Sequence, residues 1–320
     1  MKLFCLAVSM VLIFLTNQGR AQVLFEGYSK ITMGGEFLGF VVQRYEYNAA
    51  KKNFVSTYLI KYNELGGSMT ESLVATANDG LEPVAYTYNM LSPEMGAKTI
   101  DAKFEKGKLK ITTTEKGRTT KTEKVLPKGT FFSTFLAYVI LKNPKGLKAS
   151  ARYDYQAIAE EDGAVYKGTA TVQSQENYKG VPVFKILNDF KDAQFVSYTT
   201  EKGEILGTTS PQKALNLELM PDATQAMGGL SVSADNLRIL FGNIPEGKAH
   251  PFAAPTGVAP AGAAATSSIA VGAATEGASA PVQVNKPAAI KKLELQKPPP
   301  SDKPMKKGAR PGIGIQTKSK

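Results

Sequence analysis

The sequence predicts a mainly β, β-rich α+β fold, a curved antiparallel sheet or half-open barrel around one apolar helix, with a disordered C-terminal tail. Three observations predict it. From Val23 to about Gly242, short runs of alternating apolar and polar residues recur between Gly, Asn and Asp turns. One stretch, "KGTFFSTFLAYVILKNPKG", carries its apolar residues at helical spacing instead. Past residue 245 the chain turns to Ala, Gly, Pro, Ser and Lys, too poor in large apolar side chains to offset the entropy of ordering.

Taken in order, residues 1–21, "MKLFCLAVSMVLIFLTNQGRA", hold a lysine, an apolar run from Leu3 to Leu15 and small residues at Gly19 and Ala21. This is the layout of a secretory signal peptide cleaved after Ala21. The run is shorter than the roughly 20 residues a spanning helix needs. The only cysteine, Cys5, leaves with it, so the exported chain is expected to rely on its core and not on disulfides.

Residues 22–245 form the expected β-rich domain. "LGFVVQRYEYNAAKKNFVSTYLIKYNELGG" reads as two long strands about "NAAKK". In "AKTIDAKFEKGKLKITTTEKG", Ile100, Ala102 and Phe104 alternate with Asp101, Lys103 and Glu105 before a "KG" turn, a hairpin with one wet face. "RYDYQAIAEEDGAVYKGTATVQ" repeats the pattern, with Tyr153 and Tyr155 on one side and the acids Glu160, Glu161 and Asp162 in a solvated turn. "VPVFKILNDFKDAQFVSYTTEKGEILG" gives three more runs, broken at "FKDA" and "EKG". The glycines of "ITMGGEFLGF" lack the Gly-Lys-Ser/Thr ending of a phosphate loop and read as a strand bend or bulge.

Within the helical stretch, Thr130 is placed to cap the start and "NP" to end it. Phe132, Phe135, Leu136, Val139 and Ile140 fall on one stripe, which packs against the sheet or lines a ligand site beneath it. These five are the candidate ligand-binding residues.

Charge is unevenly spread. From Pro281 to Lys320 ten basic residues stand against two acidic ones, a net +8, and the leader carries Lys2 and Arg20, so only +1 of the formal +11 falls between. Residues 246–285 read as a flexible linker, spanning on the order of 30–35 Å as a coil. Residues 286–320 read as a disordered basic tail. Its Lys291, Lys292, Lys297, Lys303, Lys306, Lys307 and Arg310 are candidates for attachment to an anionic surface or cell-wall polymer. From Pro281 onward there is no Phe, Tyr or Trp to stack on bases, which argues against nucleic acid.

Strands in meander order, the helix at "TFFSTFLAYVIL", then "LKASARYDYQAIAEEDGAVYKGTATV" and "FVSYTTEKGEILGTTS", resemble uncharacterised exported bacterial domains of unknown function allied to the lipoprotein-localisation fold, a half-open β-barrel closed by helices. The resemblance spans roughly Val23 to Gly242. It implies a periplasmic domain whose concave sheet face accepts an acyl chain or a hydrophobic peptide.

No catalytic residue, metal site or cofactor is expected. The single histidine, His250, stands at the mouth of the linker, where no preorganised triad can form around it. One histidine and no cysteine beyond the leader exclude the common zinc and copper sites. "KITTTEKGRTTKTEKV" cannot supply the lipid-facing side of an outer-membrane strand, so an integral membrane barrel is not expected. The expected function is a non-catalytic periplasmic binding module for an apolar, lipid-like ligand or envelope component. The alternative is an interaction module for an envelope protein, and an enzyme with an unrecognised carboxylate site comes third.

Overall fold

The structure, a computed structural model, describes residues 21–247. Fifteen strands and three short helices follow one another: β1 (Gln22–Met33), β2 (Glu36–Asn48), β3 (Asn53–Tyr62), β4 (Thr70–Asn78), β5 (Pro83–Ser92), β6 (Gly96–Glu105), β7 (Lys108–Glu115), β8 (Arg118–Val125), β9 (Phe131–Phe132), α1 (Leu136–Lys142), β10 (Arg152–Ala159), β11 (Ala164–Tyr178), β12 (Val181–Phe190), β13 (Ala193–Thr199), β14 (Ile205–Ser210), β15 (Leu215–Met220), α2 (Ala223–Met227) and α3 (Ala234–Phe241). All strands join one unclosed sheet in the order β8 to β1, then β15 back to β9. Sheet neighbours are therefore sequence neighbours everywhere except β1 against β15, paired from Tyr28↔Met220 to Met33↔Leu215. All pairs are antiparallel but β9 with β10.

This topology forces the sheet to curl. If flat, its first and last strands would stand about 65 Å apart at the usual strand spacing. Yet residues 126–130 carry the chain from one end, β8, to the other, β9. That segment reaches about 20 Å at full stretch. The two halves accordingly close on each other: the Tyr86 ring of β5 stands edge-on to Phe132 of β9, 5.3 Å between centroids. Register breaks at Val23/Phe25, Ile31/Thr32, Thr76/Ala77 and Val172/Ser174 add the local bends that such curvature uses.

The hairpins turn tightly. Gly34–Gly35, Lys106–Gly107, Lys116–Gly117, Lys179–Gly180 and Lys191–Asp192 all have positive φ at both central positions, the mirror-image turn whose twist suits flanking strands. The expectation of a bend or bulge at "ITMGGEFLGF" is met within that stretch, where the register shifts between Ile31 and Thr32 opposite Gly39 and Phe37, but the glycine pair itself has another role. Gly34 and Gly35 form the β1–β2 hairpin turn between Met33 and Glu36, and Leu38 on β2 is the residue left over at the shift.

Central strands are covered on both faces. On β2, Tyr45 joins the largest apolar cluster, with Phe25, Tyr86, Phe132 and Phe135. Phe40 and Val42, at alternate positions on the other face, pack with Tyr28 and Leu59 against Ala226, Leu237 and Phe241 of α2 and α3. Arg44 and Glu26 are buried on that same face, with the carboxylate 2.5 Å from the guanidinium. Arg44 also donates to the Phe241 carbonyl (2.8 Å) and to Asn243 Oδ1 (2.7 Å). Glu26 Oε1 accepts from the backbone N–H groups of Glu246 and Gly247, and the Tyr28 hydroxyl donates to the Pro245 carbonyl. Residues 241–247 are thus strapped to β1 and β2.

Two expectations about helices change. Only one helix is legible as an apolar stripe, whereas α2 and α3 start behind short-range caps: Asp222 accepts from Gln225 N–H and Ser233 from Asp235 N–H. Thr130 does not cap α1. Its hydroxyl donates to the Pro127 carbonyl (2.7 Å), Phe131 and Phe132 enter the sheet beside Ala157 and Ile158, and a 3-10 turn over Ser133–Phe135 precedes α1. Phe131 and Phe132 are both buried in this pairing with β10.

Candidate functional site

The segment from Phe131 to Lys142 contributes to two neighbouring features, a buried carboxyl and an aromatic groove. The carboxyl is Glu160, at the end of β10. The expectation of a solvated acidic turn fails there: Glu160 is 3 % exposed. Its Oε2 accepts from the Ser133 hydroxyl (2.6 Å) and its Oε1 from the backbone N–H of Thr134 (3.2 Å). Thr134 is held in turn by the Tyr45 hydroxyl, which donates to its carbonyl (2.7 Å), and by Ser56, 2.7 Å from its Oγ1. Burial pushes the Glu160 carboxyl up to about 7, against the opposing pull of the bonds from Ser133 and Thr134. Both oxygens serve the chain itself, fixing the turn that leads into α1.

Glu160 is buried because the ends of the sheet meet over it. Lys98 of β6 donates to the Glu161 carbonyl and Lys124 of β8 to the Gly163 carbonyl, each at 2.8 Å. From the other side Lys191 bridges the carboxylates of Glu161 (2.7 Å) and Asp162 (2.5 Å). Burial alone would raise Asp162, yet bonds from Lys191, Ala164 N–H and Tyr166 outweigh it and hold the carboxyl below its ordinary value. The acidic turn is a clasp between the two ends of the sheet. A signal was present in the sequence: Ala157, Ile158 and Ala159 form an unbroken apolar run, and all three are buried.

The groove has a volume of about 810 Å³ and lies where α1 approaches β10–β13. Phe131, Val139, Tyr153, Tyr155 and Phe190 line it. The Phe131, Tyr155 and Phe190 rings form a row, with Phe131–Tyr155 centroids at 5.5 Å and Tyr155–Phe190 at 5.9 Å. Tyr155 is oriented by its hydroxyl, which donates to Asn188 Oδ1 (2.5 Å). The ring lies so close to β11 that a Cβ on Gly168 would stand 2.4 Å from it. Lys128, Lys167, Gln156 and Gln194 supply polar groups around the aromatics.

No protein-family model matches the chain, and no curated protein matches it. Among solved structures it is similar to a β-barrel-like protein of domain of unknown function DUF1849 from Brucella abortus, 14% identical, with a TM-score of 0.47 over 61% of this chain and 94% of that one. It is also similar to a DUF1089 family protein from Pseudomonas aeruginosa, 12% identical, with a TM-score of 0.30 over 58% of this chain and 90% of that one.

The structure places the five candidate residues of the helical stripe in different surroundings. Phe132 and Phe135, both 0% exposed, join the largest cluster, while Leu136 and Ile140 pack with Tyr153, Ala170, Val172 and Ile186. Val139 is the one of the five that lines the groove. The convergence of the groove aromatics Phe131, Tyr153, Tyr155 and Phe190 is not legible in the sequence, because it depends on pairing between strands. His250 and the basic residues Lys291, Lys292, Lys297, Lys303, Lys306, Lys307 and Arg310 lie outside the described residues. Among the described residues no group of three or more His, Cys, Asp or Glu is placed to hold a metal, and no helix is long and apolar enough to cross a membrane.

Proposed function

We propose that this chain is an exported, non-catalytic binding module of the cell envelope that holds an apolar, lipid-like ligand in the groove beside α1. The observation that carries the reading is the row of Phe131, Tyr155 and Phe190 rings in a groove of about 810 Å³, within the range of about 300–1,000 Å³ usual for small-molecule sites. The row of rings suits an apolar chain, and the Lys128, Lys167, Asp154 and Asp189 side chains around it suit a polar or charged head on the same ligand. The signal-like leader and the resemblance to lipoprotein-localisation half-barrels support the periplasmic placement. The +8 segment from Pro281 to Lys320 supports a second, weak attachment to an anionic surface.

Native mass spectrometry of the chain purified gently from its own host tests the ligand. A lipid-sized added mass that is lost on delipidation is expected, and a bare polypeptide mass sinks the reading. For the tail, co-sedimentation with vesicles containing phosphatidylglycerol should be strong at low salt, fade at high salt and disappear when residues 281–320 are deleted. Binding that survives the deletion places the attachment elsewhere.

A further inference from the structure

We infer that the outer edge of β8 pairs with β8 of a second copy of this chain, antiparallel, joining two sheets into one. β8 stands at one end of the sheet, pairs with β7 without a register break, and is exposed at every residue but Lys124. It contains no proline or glycine. The opposite end of the sheet is the two-residue β9. A long, regular, unpaired edge is a template for another strand.

The geometry allows few registers with a copy of itself. Lys116–Gly117 is a two-residue turn with φ of 48° and 77°, so Glu115 and Arg118 close it as a hydrogen-bonded pair. Hydrogen-bonded and non-bonded pairs alternate from there. The main-chain N–H and C=O groups of Thr119, Lys121, Glu123 and Val125 therefore point away from β7. In an antiparallel copy each of these residues must face another of the same four.

Charge then selects among the registers. Centring the pair on residue 121 sets Lys121 against Lys121, and centring it on residue 123 sets Glu123 against Glu123, both repulsive. Centring it on Thr122 places Lys121 opposite Glu123 of the second copy, and Glu123 opposite its Lys121. This register also sets Thr119 against Val125, which is 73% exposed in the single chain. It bonds all four outward residues, where each of the other two bonds three. Lys121 stands opposite Thr112 and has no acidic partner among the described residues, while Glu123 is held only by Lys108 at 3.3 Å, both half exposed. The pairing gives Lys121 an acidic partner and leaves the contact of Glu123 with Lys108 in place.

Sedimentation of the full chain over a dilution series tests this. A monomer–dimer equilibrium is expected. Lys121→Glu and Glu123→Lys should each weaken it by about tenfold or more, since two attractive pairs become repulsive. An equimolar mixture of these two variants should recover the dimer, because every opposed pair again carries opposite signs. Lys121→Pro removes one outward N–H without touching the β7 ladder, and should give a monomer with an unchanged circular dichroism spectrum. An unaltered chain that stays monomeric at the highest concentration reached overturns the inference. So does a dimer indifferent to both charge changes, or a failure of the mixture to re-associate.

Discussion

Glu160 carries a consequence for stability against pH. Its folded carboxyl titrates at about 7 against an ordinary value of 4.5, chiefly through burial. The folded state therefore binds the proton more tightly than the unfolded chain. The sign follows: this stability is fully present below about pH 4.5 and is lost as pH rises through about 7. Glu160→Gln keeps an oxygen for the Thr134 N–H and removes the titration. Urea unfolding at pH 5 and pH 8 should show the unaltered chain losing up to about 3 kcal/mol more than the variant over that interval. Equal losses in both would show that the carboxyl is not the source. Glu26 is buried against a buried cation, Arg44. Glu26→Ala leaves Arg44 without its counter-charge and should cost about 3–5 kcal/mol. Hydrogen exchange should speed up at the amides of Glu246 and Gly247, which the carboxylate accepts. At Gly168, even alanine drives a Cβ into the Tyr155 ring. Gly168→Ala should cost about 1–3 kcal/mol and abolish the added mass of the groove ligand.

Among the elements, α1 is too short to be stable by itself and owes its existence to burial. Phe135, 0% exposed, lies beside Tyr45 and Phe54, with centroids at 6.1 and 6.5 Å. Phe135→Ala should cost about 3–5 kcal/mol in chemical denaturation. Substituting Val139, half buried at the groove, should cost far less while weakening ligand retention. If both cost the same, the groove is part of the packed core. The strands were the most legible elements. Alternation of Ile100 and Ala102 with Asp101 and Lys103, and the Lys-Gly pairs at the hairpin tips, are local signals with local causes. Helices α2 and α3 were not legible. They are one or two turns long, and the apolar partners that stabilise them, Tyr28, Phe40 and Leu59, lie far away in sequence.

At the scale of the whole molecule, the meander order and the curved sheet followed from period-two patterning and short turns, because each strand pairs with its sequence neighbour. The one long-range pairing, β1 with β15, and the meeting of the two sheet ends have no counterpart in local pattern. The site shows the same division. Val139 was legible as part of an apolar stripe, but the groove needs Phe131, Tyr155 and Phe190 on three different strands. The sequence by itself determined that this chain is built of hairpins with one apolar helix, since alternation, turn chemistry and helical spacing are properties of neighbouring residues. Only the tertiary structure decided that Glu160 is buried and that β8 ends the sheet as an outer edge among the described residues. Both depend on how far fifteen strands curl, and that is set by packing summed over the whole sheet.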